Sequence, residues 1–210
     1  MDGRTTMAQY LKNDIQERIA AAALEVFAAR GYLAAGMAQI AERAGVSIGN
    51  LYRYYENKQV LFEALITRRL AHDFSALLRR RVRSLDGVED IRRLTPDAPY
   101  RLVSEDLLRF CVDHRLQVVV LLGRAHGTRH QAFRERVVRD LLELAAQYAA
   151  GLGRPVSTEP AARFVLRRIY RNLVEAMVDL LARFQTETSI RRAVDDYSKY
   201  HLAGLKDLLA

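Results

Sequence analysis

Apolar side chains recur at three- and four-residue steps along nearly the whole chain, and that period restricts it to helices. In the first segment Ile15, Ile19, Ala23, Val26 and Phe27 fall on one face. Breakers are scarce: 11 Gly and 4 Pro stand in 210 residues, where average usage would give roughly 25. No stretch shows the alternation of a half-buried strand. The fold class is therefore all-α. Helices are predicted over 37–44, 47–54, 100–114, 116–126, 128–150, 159–185 and 189–209, with one long helix running on from Asn57 toward Leu70. Gly31 and Gly45 are natural stops, and residues 84–99 and 151–155 carry Pro and Gly breakers. We expect two units, 9–56 and 57–210.

The run Ile40-Ala-Glu-Arg-Ala-Gly-Val-Ser-Ile-Gly-Asn-Leu-Tyr52 meets the needs of a helix-turn-helix. Ala41 is small enough for a second helix to cross closely. Gly45 stands where the chain reverses through a left-handed conformation. Ile40, Val46 and Leu51 supply the apolar wedge between the helices. Ser47 can cap the second helix by accepting a backbone N–H. Residues 47–54 then form the helix able to enter a major groove.

The stretch from Ile15 to Leu65 strongly resembles the DNA-binding domain of TetR-family transcriptional regulators. The resemblance rests on Ala22-Ala-Leu-Glu-Val-Phe27, Gly31-Tyr32, Ile40-Ala41, Ala44-Gly-Val-Ser47, Leu51-Tyr-Arg-Tyr-Tyr55, Asn57-Lys58 and Leu61, in that order. It implies an N-terminal three-helix DNA-binding domain followed by a larger helical ligand and dimerisation domain. It also implies a homodimer on a palindromic operator of double-stranded DNA. Carried over by position, the DNA-contacting residues are Ser47, Gly49, Asn50, Tyr52, Arg53 and Tyr54, with Lys58 reaching phosphate. Their chemistry suits these roles: Asn and Arg donate to base edges, while Ser, Tyr and Lys suit phosphate oxygens. The chain departs from the family pattern at Ala35-Gly36, Ala38 and Ile48. These positions offer fewer phosphate contacts, which shifts weight onto Arg4, Lys12 or Arg18.

The resemblance places an effector pocket in the second unit. Candidate lining residues there are Phe110, Cys111, His114, Leu121, Phe164, Tyr170 and Met177, a mostly apolar set that suits an apolar or aromatic small molecule. The helix starting near Glu159 carries apolar residues over roughly 200° of its circumference, against about 100° for a helix that buries a single stripe. It must pack on two sides. The last helix offers Val194, His201 and Leu205 in a stripe of its own. Together with Leu173 and Leu180 they form the candidate dimer interface.

The net charge of +8 and pI near 9.9 favour a polyanionic partner. Residues 1–70 carry nine Lys and Arg against seven Asp and Glu, so charge alone does not locate a DNA face. The cluster Arg79-Arg80-Arg81 with Arg83 reads as a solvated or interdomain face. The apolar run Val118 to Leu122, bounded by Arg115 and Arg124, is too short to cross a bilayer. No membrane partner is expected, and the N-terminus lacks the apolar stretch of a secretory signal. A cytoplasmic location is the expectation. Cys111 is the only cysteine, which excludes an intrachain disulfide. Cys111 and His114 could pair as thiolate and imidazole, but a buried, inert thiol is the commoner outcome. His126 and His130 stand four apart across Gly127-Thr128 with no evident third ligand, so no metal or cofactor is expected. There is no phosphate-binding glycine loop or nucleophile elbow, and no catalysis is expected. The leading expectation is a ligand-responsive repressor. The alternative is a helical carrier or interaction protein that no longer reads DNA.

Overall fold

The structure is a computed structural model that describes residues 3–88, 93–151, 153 and 159–208, with side chains described between 12 and 204 in those segments. Every regular element among the described residues is helical. In chain order these are α1 (Gly3–Ala34), α2 (Met37–Ala44), α3 (Ile48–Tyr54), α4 (Lys58–Leu65), α5 (Arg68–Arg83), α6 (Pro99–Asp113), α7 (Arg115–Val119), α8 (Phe133–Gly151), α9 (Pro160–Arg183) and α10 (Glu187–Leu208). A wider π turn, Val120–Arg124, continues α7.

Helix α1 is the mast of the N-terminal unit because the stripe read from sequence is buried. Ile19, Ala23 and Phe27 have no exposed surface. Phe27 meets Phe62 of α4 edge-on at 5.3 Å, and Tyr32 meets the same ring at 4.9 Å, a geometry that adds to the gain from area burial. Helix α4 therefore shares the core of α1, α2 and α3. Near its end α1 breaks at Gly31 (φ 77, ψ 163). The carbonyls that follow, of Tyr32, Leu33 and Ala35, accept from Lys58 Nζ at 2.8, 3.3 and 2.8 Å. The same ammonium lies 4.6 Å from the centre of the Tyr32 ring.

The helix predicted to run from Asn57 toward Leu70 is two helices. Ile66 leaves helical geometry (φ −108, ψ 79). Thr67 then starts α5, its hydroxyl accepting from the Leu70 N–H at 3.0 Å. Leu61 and Phe62 are buried in α4, while Val60 and Ala64 are exposed. The helix predicted from 128 starts only at Phe133. Gly127 (φ 80) turns the chain, and Thr128 ties the turn by donating to Ala125 O at 2.7 Å and accepting from His130 N–H at 3.1 Å.

In the C-terminal unit, α6, α8 and α9 pack on the α7 segment, which also meets α1. Residues 118–122, the longest apolar run, are buried there. Among the described residues, polar contacts join the two units, including Gln117 Nε2 donating to Leu65 O at 3.3 Å. Arg124 Nε donates to Ala28 O (3.3 Å), Arg129 pairs with Glu63 (2.9 Å), and His130 Nε2 meets the buried Ile66 carbonyl (3.1 Å). A carbonyl only accepts, so the last contact needs a protonated Nε2.

Lys58→Met keeps the aliphatic stem but orphans carbonyls at the end of α1. We predict a loss of about 1–3 kcal/mol of stability in urea unfolding, the scale of bonds to a charged donor. An unchanged midpoint would show that these contacts contribute nothing.

Candidate nucleic-acid interface

The reading helix α3 is aimed by the turn that precedes it. Helix α2 starts at Gly36, which has no capping side chain. Its own N–H donates to Gln39 Oε1 at 3.2 Å, the return half of a capping box. Met37, Ile40, Ala41 and Ala44 bury one face of α2. At Gly45 the backbone is left-handed (φ 65, ψ 38), and the N–H groups of Gly45 and Val46 close on Glu42 O and Ala41 O at 3.1 and 3.0 Å. Arg18 Nη2 of α1 donates to the carbonyls of Ala44 (2.7 Å) and Gly45 (3.0 Å). A Cβ at Gly45 would sit 2.9 Å from that nitrogen. Glycine is favoured there by the sign of φ, while a Cβ would only displace the flexible end of Arg18.

Ser47 caps α3, its hydroxyl accepting the Asn50 N–H at 3.1 Å. Leu51 is fully buried and Tyr55 nearly so, which fixes the inner face of the helix. Gly49, Tyr52 and Arg53 are exposed on the outer side, as is Ser47. Asn50 and Tyr54 are half-buried, and the Tyr54 ring packs partly against the core. Arg53 has no ion-pair or hydrogen-bond partner among the described residues. A Cβ at Gly49 would meet no atom within 4 Å. The bare backbone there serves no packing within the chain, and it leaves room for an outside surface to approach. Ile48, noted in sequence only as a departure, is 46% exposed at the head of α3. An exposed aliphatic at that place suits contact with a thymine methyl.

Two cations expected at phosphate bond carbonyls of the chain itself. The Lys58 ammonium faces the end of α1, where unsatisfied carbonyls and the Tyr32 ring attract it. The Arg18 guanidinium holds the turn at Gly45. Lys12 is exposed, whereas the side chain of Arg4 lies outside the described residues.

Of the expected pocket residues, Leu121 and Tyr170 lie in the core cluster, with Phe110 and Cys111 packed against it. Phe110 and His114 are neighbours on α6, with ring centres 4.6 Å apart, and His114 Nδ1 meets Gln117 Oε1 at 3.1 Å. Burial pushes the Cys111 thiol up to about 12, so it is not a thiolate at neutral pH. Leu121 and Tyr170 are buried core residues, and Met177 is half-buried. Phe164 is a correction: it is 66% exposed. It lies on the side of α9 opposite Leu173, because nine helical residues turn the direction by half a circle.

Of the expected dimer residues, Leu173 and Leu180 are half-buried on α9 and Val194 is half-buried on α10. His201 turns within the protomer instead, its ring 5.8 Å from that of Tyr170 and stacked on Tyr197 at 6.4 Å. Burial there, helped by Arg81, pushes its pKa down to about 4. The Leu205 side chain lies outside the described residues. His126 is exposed and His130 is held by Ile66 O; among the described residues no cluster of His, Cys, Asp and Glu could hold a metal ion. No described helix is long and apolar enough to cross a membrane.

A capped helix pinned across a second one by a left-handed glycine defines the N-terminal unit as a helix-turn-helix of the kind that reads duplex DNA. Residues 19–65 match the family model described as bacterial regulatory proteins, tetR family. An 81-residue stretch is 41% identical to the HTH-type transcriptional activator FasR of Mycolicibacterium smegmatis, covering 39% of this chain and 32% of that protein. The match thus spans about a third of the relative's length. The crystal structure of a TetR-like transcriptional regulator from Rhodococcus sp. RHA1 aligns with a TM-score of 0.53 at 27% identity, over 91% of this chain and 95% of that one. NalD, the secondary repressor of the MexAB-OprM multidrug efflux pump in Pseudomonas aeruginosa, aligns at a TM-score of 0.34 with 19% identity, over 90% and 96% of the two chains. Over residues 19–65 the chain is thus similar to the DNA-binding region of the TetR family.

The two glycines give opposite predictions. Gly45→Ala should cost about 1–2 kcal/mol for the left-handed backbone. Gly49→Ala should raise stability by up to about 0.5 kcal/mol, because a first-turn helical glycine gains a better helix former. Urea midpoints moving in the same direction would contradict this account of the turn and of α3.

Proposed function

We propose that the chain is a dimeric transcriptional regulator that seats two copies of α3 in successive major grooves of a palindromic operator, about 34–36 Å apart. The observation that carries this is the outer face of α3: Arg53 without a partner among the described residues, Tyr52 exposed, and the bare backbone of Gly49 open to approach. On this reading Arg53 and Asn50 read base edges. Ser47, Tyr52 and Tyr54 hold phosphates, and Gly49 lets the duplex come close. Lys58 acts by holding α4 against α1 rather than by touching DNA.

The dimer face is proposed on α9 and α10. On α9 the side formed by Leu166, Tyr170, Val174, Val178 and Leu181 is buried, while the adjoining stripe of Ile169, Leu173, Ala176 and Leu180 is only half covered. A second copy would complete its burial. Occupancy of the operator represses, and an apolar or aromatic effector in the C-terminal unit releases the dimer by favouring a spacing of the two α3 helices that no longer fits. Such action on DNA places the protein in the cytoplasm. One observation favours a second reading of the sign: the M. smegmatis relative is named an activator. The same bound dimer would then recruit polymerase rather than block it. Transcription in vitro from the selected operator separates the two.

Selection of genomic fragments on the purified protein at moderate salt should enrich a palindrome. Enrichment of no sequence over bulk DNA would favour a carrier that no longer reads DNA. Arg53→Ala should cut discrimination between the enriched site and its scrambled form by roughly 1–3 kcal/mol, the value of one bidentate base contact; intact preference would remove Arg53 from base reading. Leu173→Glu, with helicity checked by circular dichroism, should sediment as a monomer. A persistent dimer would move the interface elsewhere.

A further inference from the structure

Helix α5 and the start of α8 leave between them an open cleft of about 410 Å³, a size in the range of small-molecule sites. None of the residues expected to line an effector pocket borders it. One wall is a single face of α5: Arg68, Ala71, His72, Ser75 and Arg79. The other is Arg129, His130, Phe133 and Arg136. Four arginines thus line one hollow. Two have carboxylates: Arg79 pairs with Asp140 at 3.6 Å and Arg129 with Glu63 at 2.9 Å. Arg68 and Arg136 have no ion-pair partner among the described residues, and Arg136 lies instead 5.5 Å over the Phe133 ring. The cleft holds two positive charges in excess, above a floor made by the buried Ala71 and Phe133.

A concave, partly apolar wall concentrates the field of such charges. His130 registers that field. Its ring is buried, and desolvation with the neighbouring Arg129 and Arg136 holds its pKa below the ordinary histidine range, against the opposing pull of the Ile66 carbonyl and Glu63. A ligand that fits must bring about two negative charges on a compact head with several acceptor oxygens, plus an apolar body for the floor. A phosphomonoester carries close to that charge at neutral pH, and its oxygens match the forked donors of arginine.

We propose that the cleft between α5 and the start of α8 binds a small phosphomonoester, its phosphate held by Arg68 and Arg136 and its apolar or aromatic body resting on Ala71 and Phe133. The Ser75 hydroxyl lies on the same wall as a further donor. Because Arg129 also reaches Glu63 of α4, the ligand sits at the junction between the helix-turn-helix unit and the rest of the chain. Binding at this site does not depend on whether α3 reads DNA.

The test is calorimetric titration of the full chain with phenyl phosphate at pH 7.5, with benzyl alcohol and inorganic phosphate as comparison probes. The expected result is one saturable site for phenyl phosphate, weaker inorganic phosphate and no binding of the alcohol. Arg68→Gln with Arg136→Gln should weaken phenyl phosphate about tenfold or more, the scale of two lost charge-assisted bonds. Arg68→Gln alone, a change at an exposed side chain, should weaken it measurably and keeps the test open if the double variant folds poorly. In the wild type the His130 ring should titrate at higher pH when phenyl phosphate is bound. Absence of a saturable site, equal affinity in the variants, or inorganic phosphate binding as tightly as phenyl phosphate would overturn the proposal. Displacement of phenyl phosphate by any short duplex would also overturn it, because the cleft would then be a surface for DNA backbone.

Discussion

The left-handed turn at Gly45, held by Arg18, sets the direction of everything the N-terminal unit presents outward. Three independent demands meet at that residue: φ of 65°, closure of the α2 carbonyls by the next two N–H groups, and a guanidinium within 3.0 Å of two carbonyls. Once the turn is fixed, Leu51 can be buried only if Tyr52 and Arg53 face away. Burial of one side of a seven-residue helix therefore aims the other. The turn is anchored to α1, so the aim of α3 is inherited from the longest helix of the unit rather than from a flexible loop.

Local features were the ones readable from sequence. Ser47 capping α3, Gly31 and Gly45 as stops, and the buried stripe of α1 each depend on residues a few positions apart. The break at Ile66-Thr67 was missed because the apolar period runs through it without interruption. Only the cap from Thr67 to the Leu70 N–H and the full burial of Ile66 show that the chain bends there. The carbonyl contacts of Lys58 and Arg18 are hidden in the sequence for a different reason. A long cationic side chain reaches a phosphate or a helix-end carbonyl equally well, and their partners lie 23 to 27 residues away. Phe164 was drawn inward by a helical arc too wide to say which part of it meets the core. The cleft on α5 was invisible because its second wall comes from residues more than 50 positions later.

The junction between the two units gives the fold a route by which the C-terminal part can bear on DNA reading. The segment from Arg124 to His130 touches α1 through Ala28 O and α4 through Glu63 and Ile66 O. These are the two helices on which α2 and α3 are built. A change in the 124–130 turn therefore acts on the supports of α3 rather than on α3 itself. Interfaces of this kind move as packed bodies, and small shifts at one end become rotations at the other.

The most direct test of the central claim, that the outer face of α3 meets duplex DNA, is hydroxyl-radical footprinting of the protein with and without the fragment it retains most strongly. Tyr52, 48% exposed, should lose reactivity on saturation, while Tyr200, 74% exposed on α10, should keep its own. Full reactivity of Tyr52 under saturating duplex would contradict the account.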